Sequence, residues 1–379
     1  MSALIYLDNA ATTKPFPQVV EAIRGSMQDG YFNPSSLYAQ GFQVKKTVEA
    51  CRELLKNKLS ADEVCFTSGG TEANNLAILG SMRGSKKQGR VLYSAVEHAA
   101  VAEACHSLSD RHEVFSLPVN QEGILDLEKA KELMTPDTEL ICLMQVNNEV
   151  GSVQPVAEVV RLRDEICPKA RIHVDGVQGF LKLPFSLLSG VDSYAISAHK
   201  IHGPKGVGAL AFSSGTRLQP IVFGGKQENG LRSGTENTDG IIGLYAALNT
   251  YPEDYRIGEL KNRLYQLIKK KVPQAQLNGP DPLSDLSCPH ILNLSFPPVL
   301  AQTMMHQLEG FGVLVSQGSA CSSRQKKPSA TLSAMGVSKQ AADSALRFSL
   351  SCLTTHEEIE QAANAVQKAY ESLRAYTRR

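Results

Sequence analysis

Short apolar segments alternate with helical patterns between about residues 60 and 215, and this alternation most constrains the fold. Five segments predict strands: VLYSA (91–95), ELICLMQV (139–146), RIHVD (171–175), DSYAIS (192–197) and VGALAF (207–212). They are almost continuously apolar, which is typical of strands buried on both faces. Helical patterns such as EANNLAILGSMRG and AEVVRLRDEIC lie between several of them. The alternation predicts an α/β fold in which helices flank a mostly parallel sheet.

The pattern changes after Tyr255. IGELKNRLYQLIKKKV predicts an amphipathic helix, ILNLSF a strand, AQTMMHQLEGFG a helix and VLVSQGSA a strand. EEIEQAANAVQKAYESLRAY predicts a closing helix of about five turns. This half is expected to form a smaller α+β domain, while the pattern alone assigns the opening segment to neither domain.

Charge and cysteine content exclude several classes of protein. The 39 basic and 38 acidic residues nearly balance, so no overall electrostatic attraction to nucleic acid is expected. No apolar run is long enough to span a membrane, and the first residues do not resemble a secretory signal. The eight cysteines show neither Cys-x-x-Cys pairs nor zinc-finger spacing. We expect a cytoplasmic protein without a resident metal that binds neither nucleic acid nor membrane directly.

The segment TSGGTEANNLAIL (67–79) predicts a glycine turn that leads into a helix. Such a turn, with Gly70 and Thr71 at the helix start, offers backbone N–H groups to an anion. An ordinary capped turn is the alternative for this segment taken alone. The GVGALA segment (206–211) matches a dinucleotide-binding pattern, but it is predicted to lie within a strand and is set aside.

Polar side chains follow two of the predicted strands. Asp175 and Gln178 come at the end of one strand, and Ser197, His199 and Lys200 follow the next. Ligands of open parallel sheets bind at these strand ends. A lysine beside a buried carboxylate is either a structural ion pair or a former of Schiff bases.

Taken together, these groups match the needs of pyridoxal 5′-phosphate. Its phosphate needs N–H and hydroxyl donors, its ring nitrogen a carboxylate and its aldehyde a lysine amine. His98 follows the strand 91–95 and is placed to lie flat on the ring, with a structural histidine as the alternative.

Ten ordered blocks then resemble one family. They are YLDNAATT, NPSS, TSGGTEANN, VEH, VNNEVG, HVDGVQ, SAHKIHGPKG, RSGTEN, GSACSS and LRFSL. Together they resemble the NifS/IscS-like cysteine desulfurases, in the class-V branch of fold-type-I pyridoxal-phosphate enzymes. The resemblance implies a large cofactor-binding domain at residues 13–255. It also implies a small domain formed by residues 1–12 with 256–379, carrying the catalytic cysteine loop.

The resemblance also implies roles for single residues. Lys200 forms the Schiff base and later moves the Cα proton, Asp175 pairs with the ring nitrogen, and Gln178 binds the phenolic oxygen. His98 stacks on the ring and helps move the proton of the substrate thiol. The phosphate would be bound by Gly70, Thr71, Ser197, His199 and Thr235, the last from a partner subunit. Asn148 would contact the cofactor or the substrate. Arg347, assisted by Asn33, would bind the substrate carboxylate.

Cys321 is the implied nucleophile. It lies in VSQGSACSSRQKKPSATL, a Ser/Gly-rich segment with three nearby cations that would favour the thiolate. The implied reaction takes sulfur from L-cysteine, releases L-alanine and leaves a persulfide on Cys321. The GSAC block resembles the long-loop group of the family. A transient iron–sulfur contact at Cys321 is the one exception to the expected absence of a metal.

The expected partners are L-cysteine, a second copy of the chain and a sulfur-acceptor protein. The sequence ends soon after the last predicted helix, where long-loop relatives carry a further segment that docks the iron–sulfur scaffold. This end favours a dedicated acceptor, such as a tRNA-thiolation sulfurtransferase, over that scaffold. Selenocysteine cleavage and aminotransfer by the same kind of site are the alternative activities. Gly176 stands where many relatives carry alanine, and little effect is expected from that difference.

Overall fold

The computed structural model describes residues 4–85, 88–253, 256–318 and 329–377. Cys321 and its flanking segment lie outside the described residues. The strands are β1 (Ile5–Tyr6), β2 (Glu63–Thr67), β3 (Arg90–Ser94), β4 (Glu113–Leu117), β5 (Thr138–Met144), β6 (Arg171–Asp175), β7 (Ser193–Ser197), β8 (Gly208–Phe212), β9 (Gln276–Asn278), β10 (Ile291–Ser295), β11 (Val313–Leu314) and β12 (Ala345–Ser349).

The helices alternate with these strands through the first two thirds of the chain. They are α1 (Pro17–Asp29), α2 (Ala39–Leu59), α3 (Gly70–Met82), α4 (Ala99–His106), α5 (Leu127–Leu133), α6 (Val156–Ile166), α7 (Thr238–Thr250), α8 (Ile257–Lys271), α9 (Ala301–Gly310), α10 (Ala330–Ala334), α11 (Lys339–Asp343) and α12 (His356–Thr377). Three short 3₁₀ turns occur as well, one of which carries Ala198–Lys200.

The large sheet has the strand order β2-β8-β7-β6-β5-β3-β4. Its central strands pair in parallel, and β8 runs antiparallel to both of its neighbours. Alternate residues of β5 enter different cores: Ile141 and Leu143 pack on one face, Leu140 and Cys142 on the other. Helices therefore cover both faces, which confirms the predicted α/β fold with a mostly parallel sheet. GVGALA lies mainly on β8, as predicted.

A second core lies around α8, α9 and α12. It contains a three-stranded antiparallel sheet of order β12-β10-β9, and the parallel pair β1–β11 lies beside it. Ile5 and Leu7 pack into this core, so the opening segment contacts the C-terminal elements. The exact domain division stays a prediction. Two lengths differ from expectation: α12 has 22 residues, about six turns, and β11 is shorter than the predicted strand.

No helix within the described parts of the chain is long and apolar enough to cross a membrane. Even the longest, α12, carries several charged side chains along its length.

Gly176 has a packing role that the sequence did not indicate. A Cβ atom at this position would lie 1.9 Å from Cζ of Tyr194. The Tyr194 ring is fully buried, stacks on Phe185 with 4.1 Å between ring centroids, and donates its hydroxyl hydrogen to Gln145 Oε1 at 2.6 Å. Because these contacts fix the ring, only glycine fits directly after Asp175 in this chain.

We expect Gly176→Ala to lower the free energy of unfolding by about 1–3 kcal/mol, the usual cost of overpacking a rigid core. Urea denaturation followed by circular dichroism measures the change. Gly215→Ala is the matched control, since nothing lies within 4 Å of its added Cβ. A Gly176→Ala midpoint equal to that of the control would contradict the assigned role.

Candidate active site

The first turn of α3 forms an anion-binding cradle at the edge of the large sheet. Gly69 precedes the helix without a side-chain cap, so the leading N–H groups of α3 are not capped by it. A Cβ on Gly70 would lie 2.5 Å from Cγ2 of Val177, so glycine is required for this close approach. Ser197, at the end of β7, lies beside the same turn. The arrangement supports the predicted phosphate site.

His199 enters the cradle as a neutral group. Burial, followed by repulsion from Lys200 and other lysines, lowers the pKa of His199 to about 4. Its Nδ1 lies 3.1 Å from the hydroxyl of Thr12. A neutral imidazole offers a hydrogen bond to an anion without adding a charge.

Asp175 ends β6 and is 5% exposed. Its Oδ2 accepts a hydrogen bond from Nδ2 of Asn74 at 2.7 Å, and its Oδ1 accepts one from the Val177 N–H at 3.0 Å. Two donors thus orient a buried carboxylate toward the cavity, where it can pair with a protonated ring nitrogen.

Lys200 and Gln178 meet at the same backbone segment. Nζ of Lys200 donates to the carbonyl oxygens of Ala10 and Ala11, at 2.6 and 2.8 Å. Nε2 of Gln178 donates to the Ala10 carbonyl at 2.9 Å. The opening segment of the chain therefore fixes the position of the lysine amine, and these hydrogen bonds must be exchanged when the amine reacts.

His98 caps α4 and is half-buried. Its Nδ1 accepts a hydrogen bond from the Ala100 N–H at 3.1 Å, so the neutral ring carries its hydrogen on Nε2. Burial lowers the pKa of His98, with Asp175 opposing and Lys200 reinforcing the shift. Proton transfer at the site can therefore use the Nε2 position.

Glu97, beside His98, is a partly exposed residue with a buried carboxyl oxygen, and sequence reasoning missed it. Its Oε1 accepts a hydrogen bond from the Met144 N–H at 2.6 Å, and its Oε2 has no partner among the described residues. Burial, and then repulsion from Asp175, raises the pKa of Glu97 well above its ordinary value. Burial thus favours the neutral form of the Glu97 carboxyl group.

Arg347, on β12, is the buried cation of the cavity. Its Nη2 donates to Oδ1 of Asp8 at 2.8 Å, and its Nη1 donates to the carbonyl oxygen of Asn148 at 2.7 Å. Its Nε is buried without a hydrogen-bond partner among the described residues. Such an N–H group is costly to leave unpaired, so it indicates an acceptor that arrives with a ligand.

These elements enclose a cavity of about 230 Å³. It brings together ten of the predicted residues: Gly70, Thr71, His98, Asn148, Asp175, Gln178, Ser197, His199, Lys200 and Arg347. Asn74, Met144 and Val177 also line it and were not predicted. A helical signal for Asn74 existed, because it lies four residues after Gly70 on the same face of α3.

Two predicted residues lie elsewhere. Asn33 is exposed, and its Oδ1 accepts a hydrogen bond from the Ser35 N–H at 2.8 Å. Thr235 is exposed and does not line this cavity. Cys321 lies outside the described residues, but the residues on either side of its segment meet at Glu149. Ser329 Oγ donates to Glu149 Oε2 at 2.6 Å, and a Cβ on Gly318 would lie 3.1 Å from that oxygen.

The residues present fit pyridoxal phosphate. The cavity offers an uncapped helix start for a phosphate, a carboxylate for a ring nitrogen and a primary amine for an aldehyde. The Nε of Arg347, which has no hydrogen-bond partner in the described part of the chain, adds a place for a substrate carboxylate.

Comparison with known proteins agrees with this geometry. The family model described as aminotransferase class V matches residues 5–362. The cysteine desulfurase IscS of Dictyoglomus turgidum is 38% identical to this chain, over 99% of this chain and 96% of the relative. The chain belongs to the NifS/IscS-like cysteine desulfurases. This family of class-V aminotransferases consists of pyridoxal-phosphate enzymes.

Solved structures extend the match to three dimensions. A structure titled NifS-like protein superposes with a TM-score of 0.90 at 33% identity, covering 98% of this chain and all of the other. A structure titled SspA in complex with cysteine superposes with a TM-score of 0.80 at 30% identity, covering 91% of this chain and 98% of the other. The site of this desulfurase-family member thus lies on a fold shared with these proteins.

Among the residues that the structure describes, no group of three or more His, Cys, Asp or Glu side chains could hold a metal ion.

Lys182 is a buried lysine near the site that sequence reasoning missed. It lies four residues after Gln178 in the turn that follows β6, and its Nζ donates to the Gln178 carbonyl at 3.3 Å. Burial, followed by repulsion from Lys200, lowers the pKa of Lys182 to about 7. The unfolded chain, with an ordinary lysine pKa near 10.4, binds more protons than the folded chain between about pH 7 and 10.

The free energy of unfolding therefore gains up to ~1.4 kcal/mol per pH unit from Lys182 as the pH rises through this window. We expect Lys182→Met to remove this pH dependence. The free energy of unfolding of the variant, relative to that of the wild type, should therefore be highest at pH 7 and lowest at pH 10. Urea denaturation of both proteins at pH 7, 8, 9 and 10 measures the difference. A difference independent of pH would show that Lys182 stays charged in the folded protein.

Proposed function

We propose that the chain is a pyridoxal-phosphate-dependent cysteine desulfurase that converts L-cysteine to L-alanine and places the sulfur on Cys321 as a persulfide. The observation that carries this proposal is the convergence of Lys200, Asp175 and Arg347 on one cavity in a member of the desulfurase family. A relative with this fold has been solved in complex with cysteine.

Different residues of the cavity would bind different parts of the cofactor. Gly70, Thr71, Ser197 and His199 would hold the phosphate, and Asp175 would pair with the ring nitrogen. His98 would lie against the ring, while Gln178 would bind the phenolic oxygen after leaving the Ala10 carbonyl. Lys200 would hold the aldehyde carbon. When bound, the cofactor supplies an electron sink for the pair released at Cα of the substrate.

Arg347 would bind the substrate carboxylate. Its Nη1 and Nη2 donate to the Asn148 carbonyl and to Asp8, so the guanidinium is already oriented before the substrate binds. The unpaired Nε then gains an acceptor. Asn148 lines the same part of the cavity, and Asn33 would assist from its exposed loop.

Lys200 would remove the Cα proton as its amine becomes free, and His98 would move the proton of the substrate thiol. The Cys321 thiolate then forms an S–S bond to the substrate sulfur while the Cβ–S bond breaks. The electron pair of the broken bond stays with Cβ, which takes up a proton. L-alanine therefore leaves with the reduced carbon and Cys321 keeps the oxidised sulfur, so no outside oxidant is needed.

Cys321→Ala should bind the cofactor like the wild type and form neither persulfide nor more than a trace of L-alanine from L-cysteine. The physical reason is that the C–S bond breaks only when a thiolate accepts the sulfur. Visible absorption measures cofactor binding, and assays of alanine and sulfide measure turnover.

Cys352→Ala is the matched control, because Cys352 is the one described cysteine that is not fully buried. Desulfuration by Cys321→Ala at the rate of this control would overturn the assignment of the nucleophile. Retained activity on selenocysteine alone would instead favour a selenocysteine lyase.

We also propose that the chain works as a homodimer. Large apolar side chains are exposed from α1 to the start of α2, including Met27 (62%), Tyr31 (71%) and Phe42 (66%). Surfaces of this kind mark contacts with other proteins. Thr235 is also exposed, as expected of a residue that completes the phosphate site of a second subunit.

Light scattering should give twice the chain mass of 41.1 kDa for the wild type. Phe42→Asp should shift the protein toward the monomer and weaken cofactor binding, because a buried charge opposes association. Leu188→Asp, at an even more exposed apolar position outside the α1–α2 segment, is the control. A Phe42→Asp variant that stays dimeric would place the interface elsewhere.

The persulfide on Cys321 requires a second protein to accept its sulfur. We propose an acceptor in the cytoplasm, either an iron–sulfur scaffold or a tRNA-thiolation sulfurtransferase. Both receive sulfur through a thiol, and a reducing compartment keeps such thiols free.

A further inference from the structure

Asp175 and three buried polar side chains behind it form a chain of hydrogen bonds. Asn74 Nδ2 lies 2.7 Å from Asp175 Oδ2, and Asn74 Oδ1 lies 2.9 Å from His173 Nε2. His173 Nδ1 lies 2.9 Å from the hydroxyl of Ser193. The four side chains come from α3, β6 and β7, and none is more than 5% exposed.

The carboxylate fixes the direction of every hydrogen bond in this chain. Since Asp175 can only accept, Asn74 must present its Nδ2 hydrogen to it, and its Oδ1 then faces His173. His173 must therefore donate from Nε2, which leaves Nδ1 to accept from Ser193. A neutral ring with one hydrogen meets this requirement. Burial lowers the pKa of His173 to about 3, although a backbone hydrogen bond at Ser193 acts in the opposite direction.

We propose that Asn74 and His173 are positioning residues that set how strongly Asp175 holds the ring nitrogen of the cofactor. The inference rests on the proposed function. His173 locks the Asn74 amide so that a donor, and not its carbonyl oxygen, faces the carboxylate. Without that lock the amide is free to turn its oxygen toward Asp175, where two acceptors repel each other.

The other groups facing Asp175 do not supply this lock. Burial raises the pKa of both Glu97 and Tyr194 well above their ordinary values. Glu97 Oε1 accepts from the Met144 N–H and the Tyr194 hydroxyl donates to Gln145 Oε1, so neither side chain orients the Asn74 amide. His98 and Lys200 lie on the cavity side, where the cofactor would bind. The Val177 N–H is a backbone donor whose position does not depend on Asn74.

The first test compares Asn74→Leu and His173→Leu with the wild-type holoenzyme. Equilibrium dialysis gives the dissociation constant for pyridoxal phosphate, which we expect to rise about 10- to 100-fold, as for the loss of a hydrogen bond to a buried charge. The pH at which the visible band of the bound cofactor changes should move upward. A ring nitrogen with less positive charge leaves the Lys200 nitrogen more basic.

Matched variants separate this role from packing. His173→Gln keeps an N–H donor at the Nε2 position and should restore both measurements toward wild type. Asn75→Leu changes the neighbouring asparagine, whose Nδ2 donates to the Thr71 carbonyl, and should leave the pH of the band change unaltered. Equal losses in His173→Gln and His173→Leu, or wild-type values in Asn74→Leu, would overturn the proposal. Thermal melts by circular dichroism establish that each variant is folded.

A measurement on the protein itself keeps this proposal separate from the proposed function. Nitrogen NMR of His173 should show a hydrogen on Nε2 and none on Nδ1 from pH 5 to pH 9. A hydrogen on Nδ1 would refute the chain of hydrogen bonds. A wild-type protein that binds no pyridoxal phosphate, yet shows this tautomer, would refute the proposed function and leave the hydrogen-bond chain standing.

Discussion

The carboxyl-terminal edge of the parallel strands is the constraint on which the site depends. β3, β5, β6 and β7 all end at this edge, because parallel pairing aligns their directions. The backbone N–H and C=O groups of each strand are used within the sheet, so the side chains just beyond the strand ends are left to meet a ligand. His98, Asp175 and Lys200 are brought together in this way, although they are far apart along the chain.

The segment after β5 joins this edge to the C-terminal core. Asn147 Nδ2 donates to the carbonyl of Val96, just before His98. The carbonyl of Asn148 accepts from Arg347, and the carboxyl group of Glu149 contacts Ser329 beyond the Cys321 segment. Three consecutive residues thus connect the segment before His98, the guanidinium of Arg347 and the residue that follows the Cys321 segment. A displacement of this segment would shift all three contacts.

The sequence could predict those parts of the site that local pattern defines. Gly70, Asp175 and Lys200 each lie at a boundary between predicted elements, so both their type and their position were informative. Helical spacing placed Asn74 on the same face of α3 as Gly70, but it did not show what Asn74 contacts. The contacts of Asn74 and Glu97 depend on His173 and Met144, which come from other strands. The roles of Thr235 and Asn33 rest on family resemblance alone and stay predictions, because both residues are exposed and neither lines the cavity.

Gly176 illustrates the same limit in the core. Its neighbour in space, Tyr194, lies on β7, and nothing in the VDGVQ segment indicates that an aromatic ring fills the place of a Cβ atom. Strand predictions succeeded because they depend on apolar periodicity, which is local. Their lengths were less accurate where the pairing partner ends early, as at β11, which pairs with the two-residue β1.

The thiols of this chain show how burial separates structure from chemistry. Burial raises the pKa of Cys51 to about 12 and that of Cys352 to about 11, and it also raises the pKa of Cys142. A thiol held in its neutral form is a poor nucleophile, so these cysteines act as small apolar side chains. Cys321 differs in its sequence surroundings, which are polar and cationic. The contrast supports Cys321 as the sulfur carrier, because a persulfide forms only where a thiolate can exist and where an acceptor can reach it.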